Sequence, residues 1–106
     1  MMIRHCVFIR FRPEVSEVEK TAIFAEIAAL KDRLPGFLAV HVGENVSPEI
    51  GMDKGYAEGF IVDFADVAAR DAYLDDAEHQ KTGAKIVAAA DGGVQGVFVY
   101  DLEIPD

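Results

Sequence analysis

Met2-Ile3-Arg4-His5-Cys6-Val7-Phe8-Ile9-Arg10-Phe11 decides the fold, because one period fits it well. Counted by twos, Ile3, His5, Val7, Ile9 and Phe11 share one side, and Arg4, Cys6, Phe8 and Arg10 share the other. Successive side chains of a strand point to opposite faces, so this alternation predicts a strand over residues 2–11. Pro13 ends it, since proline brings no N–H to a ladder. The first side is apolar except for His5. The second carries Cys6 and Phe8, so it does not read as a face left in water.

Outward from that strand, Ser16-Glu17-Val18-Glu19 fits a capping box. Ile23, Ile27, Leu30 and Leu34 then recur at helical spacing until Pro35-Gly36 stops the helix. Phe37 to Gly43 reads as a second strand, with Phe37, Ala39 and His41 on one face and Leu38, Val40 and Val42 on the other. Glu44 to Lys54 is a polar loop broken by Pro48 and Gly51, long enough for so short a chain to be a candidate functional segment. Tyr56 to Phe64 is the third strand, with Tyr56, Glu58, Phe60, Val62 and Phe64 sharing a face. Asp66 is placed to cap a helix over 67–75. A further helix over 78–90 ends at Asp91-Gly92-Gly93. Val94 to Glu103 closes the chain as a strand, with Phe98, Tyr100 and Leu102 on one face and Val97 and Val99 on the other.

The order β-α-β-β-α-β is the split βαβ pattern of an α+β, ferredoxin-like domain. A four-stranded antiparallel sheet with helices on one face is expected, in one domain over residues 1–106. The helices cover one face only. Cys6 and Phe8, Leu38, Val40 and Val42, and Val97 and Val99 make the second face apolar as well. The expected cover is a second copy laid sheet to sheet, giving a homodimer.

A formal net charge of −9 over 106 residues argues against nucleic acid and anionic membranes as partners. No leader with an apolar centre and no run of 18 apolar residues is read, so a cytoplasmic protein is expected. Cys6 is the only cysteine, which excludes an internal disulfide and a Cys-rich zinc site. Gly92, Gly93 and Gly96 lack the Lys and Ser/Thr of a phosphate loop, and no Gly-x-Ser-x-Gly elbow occurs. No cofactor is expected.

Four residues carry chemistry. His5 and Glu58 occupy inward positions on two strands, where polar groups need partners. Tyr73 and His79, on the helical segments, can reach the same space. A carboxylate beside a histidine favours the charged ring and sets it near neutrality for proton transfer. A tyrosine hydroxyl can donate to a developing enolate oxygen. The functional reading is an acid–base pocket for a small apolar or aromatic carbonyl compound. The plainer reading makes His5 a core histidine bonded to Glu58, Tyr73 a helix aromatic and His79 a surface residue. His5, His79 and Glu58 also have the types of a 2-His-1-carboxylate set, but no compact ligand spacing, so no metal is expected. Arg10 is expected to pair with an acid across the dimer or at its rim, where Asp63 or Asp101 would suit.

Ile3-Arg4-His5-Cys6-Val7-Phe8, Gly55-Tyr56-Ala57-Glu58-Gly59-Phe60, Asp71-Ala72-Tyr73-Leu74, Glu78-His79 and Val97-Phe98-Val99-Tyr100-Asp101 follow one another at a distinctive spacing. In these stretches the chain resembles the stress-responsive α/β-barrel (Dabb) family over nearly its whole length. The resemblance implies a dimeric barrel. Family members differ in function: many have no known activity, some plant members are linked to stress tolerance, and one is a polyketide cyclase. That cyclase uses a helix tyrosine and a histidine six residues later. Tyr73 and His79 match them and are the implied catalytic pair, while His5 matches a pocket histidine. Glu58 stands where the cyclase has a histidine, and Asp76-Ala77 where a His-Pro pair often stands. His5 and Glu58 are thus the expected substrate-binding residues. The alternatives are a non-enzymatic, stress-associated structural dimer and, by analogy of fold alone, a cofactor-free monooxygenase.

Overall fold

β1 (Met2–Ile9) is an inner strand of the sheet. The computed structural model describes all residues, Met1–Asp106. After β1 come α1 (Glu17–Ala29), a 3-10 turn (Leu30–Asp32), β2 (Phe37–Glu44) and β3 (Glu58–Phe64). Then follow α2 (Val67–Asp75), α3 (Ala77–Ala89), a second 3-10 turn (Gly93–Gly96) and β4 (Val97–Ile104). The four strands lie in the order β2-β3-β1-β4, and every neighbouring pair is antiparallel. This is the ferredoxin-like arrangement, with the helices on one face of the sheet.

The helix starts are capped by the side chains that the spacing picks out. Ser16 Oγ accepts from the Glu19 N–H at 3.1 Å, and an Asp66 carboxylate oxygen accepts from the Ala69 N–H at 2.9 Å. Asp76 both follows α2 and caps α3, accepting from the His79 N–H at 3.0 Å. Gly36 turns the chain from α1 into β2 at φ +81°, where a Cβ would stand 2.6 Å from Ala69 Cβ. Both the backbone conformation and the close approach to α2 call for glycine there.

The core lies between sheet and helices. Ile27, Val62, Phe64 and Tyr73 are wholly shielded from solvent, and Ile9, Phe60 and Phe37 nearly so. The side of β1 that holds Ile3, His5, Val7 and Ile9 is buried as expected.

Strand limits differ from the sequence reading where turns capture the ends. β1 stops at Ile9, because the Arg10 N–H donates to Gly96 O and Arg10 O accepts from the Asp91 N–H. β3 starts at Glu58, because the Tyr56 N–H closes a turn onto Asp53 O at 2.9 Å. Val94 to Gly96 wind into the 3-10 turn, so β4 starts at Val97.

Two face assignments also change. A register shift between Phe37 and Ala39 puts Phe37 opposite Phe64 but Ala39 opposite Asp63. The irregularity at Leu38 reverses the alternation, so Val40 joins the core side and His41 turns to the open side. In β4 the partners Phe8↔Phe98, Cys6↔Tyr100 and Arg4↔Leu102 place the larger residues on the open face. Val97, expected on that face, packs on the core. The second face is apolar, but through Phe8, Phe98, Tyr100 and Leu102 rather than through the valines. Phe98, Tyr100 and Leu102 are 46%, 41% and 46% exposed.

Candidate functional site

The most polar position in the core is His5. Period two aims it at the helices, and it is 4% exposed. β4 pairs with β1 so that Asp101 lies opposite, and His5 Nδ1 lies 2.6 Å from Asp101 Oδ1. A carboxylate carries no proton, so the His5 Nδ1–H donates to it. Asp101 Oδ2 also accepts a charge-assisted hydrogen bond from Arg70 of α2. Burial pushes the Asp101 carboxyl up, but the bonds from His5 and Arg70 outweigh it and hold the pKa below its ordinary value.

Tyr73 of α2 packs edge-on to His5, with ring centroids 5.6 Å apart. Phe64 and Phe37 lie 5.0 and 5.8 Å from it, and His79 of α3 lies against it at 3.9 Å. Four rings, from β1, β2, β3 and α3, thus meet around the one phenol of α2. The Tyr73 hydroxyl and His79 Nδ1 are buried without a hydrogen-bond partner. Burial pushes the Tyr73 pKa far up, so the phenol stays protonated. Burial, then the nearness of His5, pushes His79 down and favours its neutral form.

His79 is positioned through Asp76. Arg33 grips that carboxylate with two bonds of 2.8 and 2.7 Å, which, with the His79 N–H, lower its pKa to about 2. Asp76, where relatives often carry the histidine of a His-Pro pair, is therefore an N-cap that fixes the first turn of α3.

His5, Tyr73 and His79 come together as the sequence reading expected. Glu58 does not join them. His5 lies opposite Val62, four residues further along β3 and so roughly 13 Å away at strand rise. Glu58 instead accepts from Lys20 Nζ at 2.7 Å, so the expected His5–Glu58 bond is replaced by His5–Asp101. The same register separates Glu58 from the two histidines as a possible ligand set. Within one subunit Arg10 pairs with neither Asp63 nor Asp101. It donates to Gln95 O at 3.0 Å and lies over the Tyr56 ring. Asp63 is taken on the open face by Arg4 at 2.8 Å and His41 at 3.2 Å. The missed residues are Asp101 and Arg70. An acid at an inward step of an apolar strand was the available signal for Asp101, but its partner depended on knowing that β4 lies beside β1.

Two predictions follow from this packing. Tyr73→Phe removes a buried hydroxyl that bonds to nothing, and is expected to raise stability by about 1 kcal/mol in urea unfolding. A loss of stability instead would show that the hydroxyl has a partner. The second concerns acid. His79 is depressed in the fold, so it contributes stability above its unfolded pKa of about 6.5, and this is lost as pH falls through the lower folded value. Unfolding free energy is expected to decline from pH 6.5 towards 5, and His79→Gln to decline less. Parallel curves would refute the assignment.

A groove of about 530 Å³ lies elsewhere: on the open face, between Phe8, Ile61, Phe98 and Tyr100 and the 45–57 loop. No helix is long and apolar enough to cross a membrane.

The stress responsive A/B barrel domain family matches residues 3–104. A dimeric ferredoxin-like protein of unknown function from Jannaschia sp. CCS1 is 32% identical and superposes with a TM-score of 0.91, covering 98% of this chain and 100% of that one. The hydroxynitrile lyase of Passiflora edulis is 18% identical with a TM-score of 0.84, covering 99% of this chain and 94% of that one. SnoaB, a cofactor-independent oxygenase from Streptomyces nogalater, is 15% identical with a TM-score of 0.75, covering 99% and 94%. The last two likenesses are of fold. Among curated proteins, none matches this sequence.

Proposed function

The chain belongs to the stress-responsive A/B barrel family, and from that premise we propose a sheet-to-sheet homodimer whose subunits each bind a small carbonyl compound for acid–base chemistry. The observation that carries the reading is the pairing of an Asp101-held His5 with two unpartnered polar atoms, Tyr73 OH and His79 Nδ1, in one aromatic enclosure. Buried polar groups are normally satisfied, and exceptions concentrate where a ligand or ordered water completes them. A neutral imidazole takes the proton from a carbon beside the carbonyl. The electron pair left behind moves to the carbonyl oxygen, to which the Tyr73 O–H donates. The imidazolium then returns the proton to that carbon, or delivers it to the oxygen of a second carbonyl that the carbon attacks. Apolar walls from Phe37 and Phe64 suit an apolar or aromatic ligand body.

Histidine NMR titration of the wild type and of Asp101→Asn, with small aromatic aldehydes and β-diketones added, tests the site. Coupled His5 and His79 signals that move with a ligand support it. Independent titration with no ligand response refutes it.

A second reading is a structural dimer without chemistry, favoured by the complete burial of Tyr73. A filled interior needs no ligand, and its orphan atoms then stand as a cost of packing. The titration separates the two.

Association itself has an ionic-strength signature. Two subunits of net charge −9 repel, and salt screens that repulsion. The dimer is expected to dissociate less at high than at low salt in sedimentation. The reverse order would place ion pairs, not apolar surface, at the interface.

A further inference from the structure

The 45–57 loop is built inside out. Much of its hydrogen bonding is internal: Asn45 N–H donates to Ala57 O at 2.7 Å and Asn45 Nδ2 to Asp53 at 2.9 Å. The Gly55 N–H donates to the other Asp53 oxygen at 2.9 Å, and Ser47 and Glu49 N–H are held by the side chains of Asn45 and Ser47. Tyr56 ties the loop's end to Gln95 O at 3.1 Å. The apolar side chains go the other way. Val46, Ile50 and Met52 are 91%, 99% and 65% exposed. Scattered exposed residues need no explanation, but a hydrogen-bonded loop that presents three together leaves apolar surface without a cover.

The same loop lines one side of the groove of about 530 Å³ on the open face of the sheet, with Met52 at the groove itself. Protruding apolar residues and an apolar recess therefore stand side by side on one surface of one chain. Across a two-fold axis, the projections of each copy meet the recess of the other, and the exchange closes after two subunits.

We propose that the 45–57 loop is an intersubunit arm, whose Val46, Ile50 and Met52 pack against the β4 face of a second copy of this chain. The proposal rests on the sheet-to-sheet dimer and adds to it a segment outside the sheet. Occupancy by a copy rather than by another protein follows from the adjoining surface: Phe98, Tyr100 and Leu102 continue the apolar area of the groove along β4, on the face that the dimer already uses. The arm extends that contact beyond what two flat sheets supply.

Three variants and one cross-link test it. The triple change Val46→Ser, Ile50→Ser, Met52→Ser is expected to raise the dimer Kd at least about 30-fold, roughly 2 kcal/mol, with unchanged circular dichroism. Val18→Ser, equally exposed but on α1, is expected to leave Kd alone. Phe98→Glu on β4 tests the sheet contact separately. If Phe98→Glu dissociates the dimer and the triple change does not, the arm is refuted and the sheet contact stands. If neither dissociates it, or the wild type is a monomer, both fall. A photo-cross-linker on Ile50→Cys, in a mixture of light and heavy-isotope chains, is expected to join light to heavy at residues 97–104. Cross-links within one chain only, or to neither, would overturn the arm.

Discussion

Phe64→Ala is expected to lower the stability of this protein by about 3–5 kcal/mol, the usual cost of removing a wholly buried phenyl ring. In a chain of this size that is a fall in Tm of roughly 15–30 °C. Phe64 is 0% exposed and touches three other rings: Phe37 at 5.5 Å, Tyr73 at 5.0 Å and His5 at 6.1 Å. Its loss leaves a hole that neighbours cannot easily fill, because β1 flanks it on one side and β2 on the other. Scanning calorimetry at fixed protein concentration reads the effect. A fall of only a few degrees would mean that α2 collapses into the space, and Tyr73 would then be less rigidly held than its burial implies.

Asp101→Ala is expected to cost about 2–3 kcal/mol, because it leaves a buried imidazole N–H without its acceptor. The Asp101 side chain is 23% exposed and already shares its charge with Arg70, so the figure sits below that of a fully buried ion pair. Asp101→Asn keeps an acceptor oxygen and is expected to lose less. The carboxyl is held below its ordinary pKa in the fold, so its contribution is complete above about pH 4 and fades as pH falls through the lower folded value. The wild type is therefore expected to converge with Asp101→Ala in strong acid. Urea titrations at neutral and acid pH would show the gap closing. A gap that persists would mean the hydrogen bond matters less than packing. The same variant frees His5 to change tautomer, which its ring nitrogen shifts report directly.

The legible parts of this chain were those governed by local rules. Ser16 and Asp66 announced their helices because a cap acts within three residues. Ile3, His5, Val7 and Ile9 announced their face because alternation is a property of one strand. Leu38 was not legible: a bulge is set by how β2 fits against β3, and only the pairing shows that the alternation reverses there. Val97 misled for a related reason, since an isolated valine on an edge strand names no face. In the site, His5 was found as a polar group at an inward step of an apolar strand, and Tyr73 and His79 through the type and spacing they share with the family. Glu58 fitted the same criterion yet lies with Lys20, four residues from His5's partner along β3. The carboxylate that meets His5 comes from the far end of the chain, and sequence separation of 96 residues conceals such a pair.

Asp76 ends one helix and begins the next, with no residue to spare between them. Adding a single residue in the first turn of α3 would shift His79 by about 100° around that helix and carry it away from Tyr73. Lineages of this protein should therefore vary in length at the 45–57 loop, while the α2–α3 junction keeps a fixed count. Alignment gaps across orthologues would be a historical record of which joint the fold lets slide.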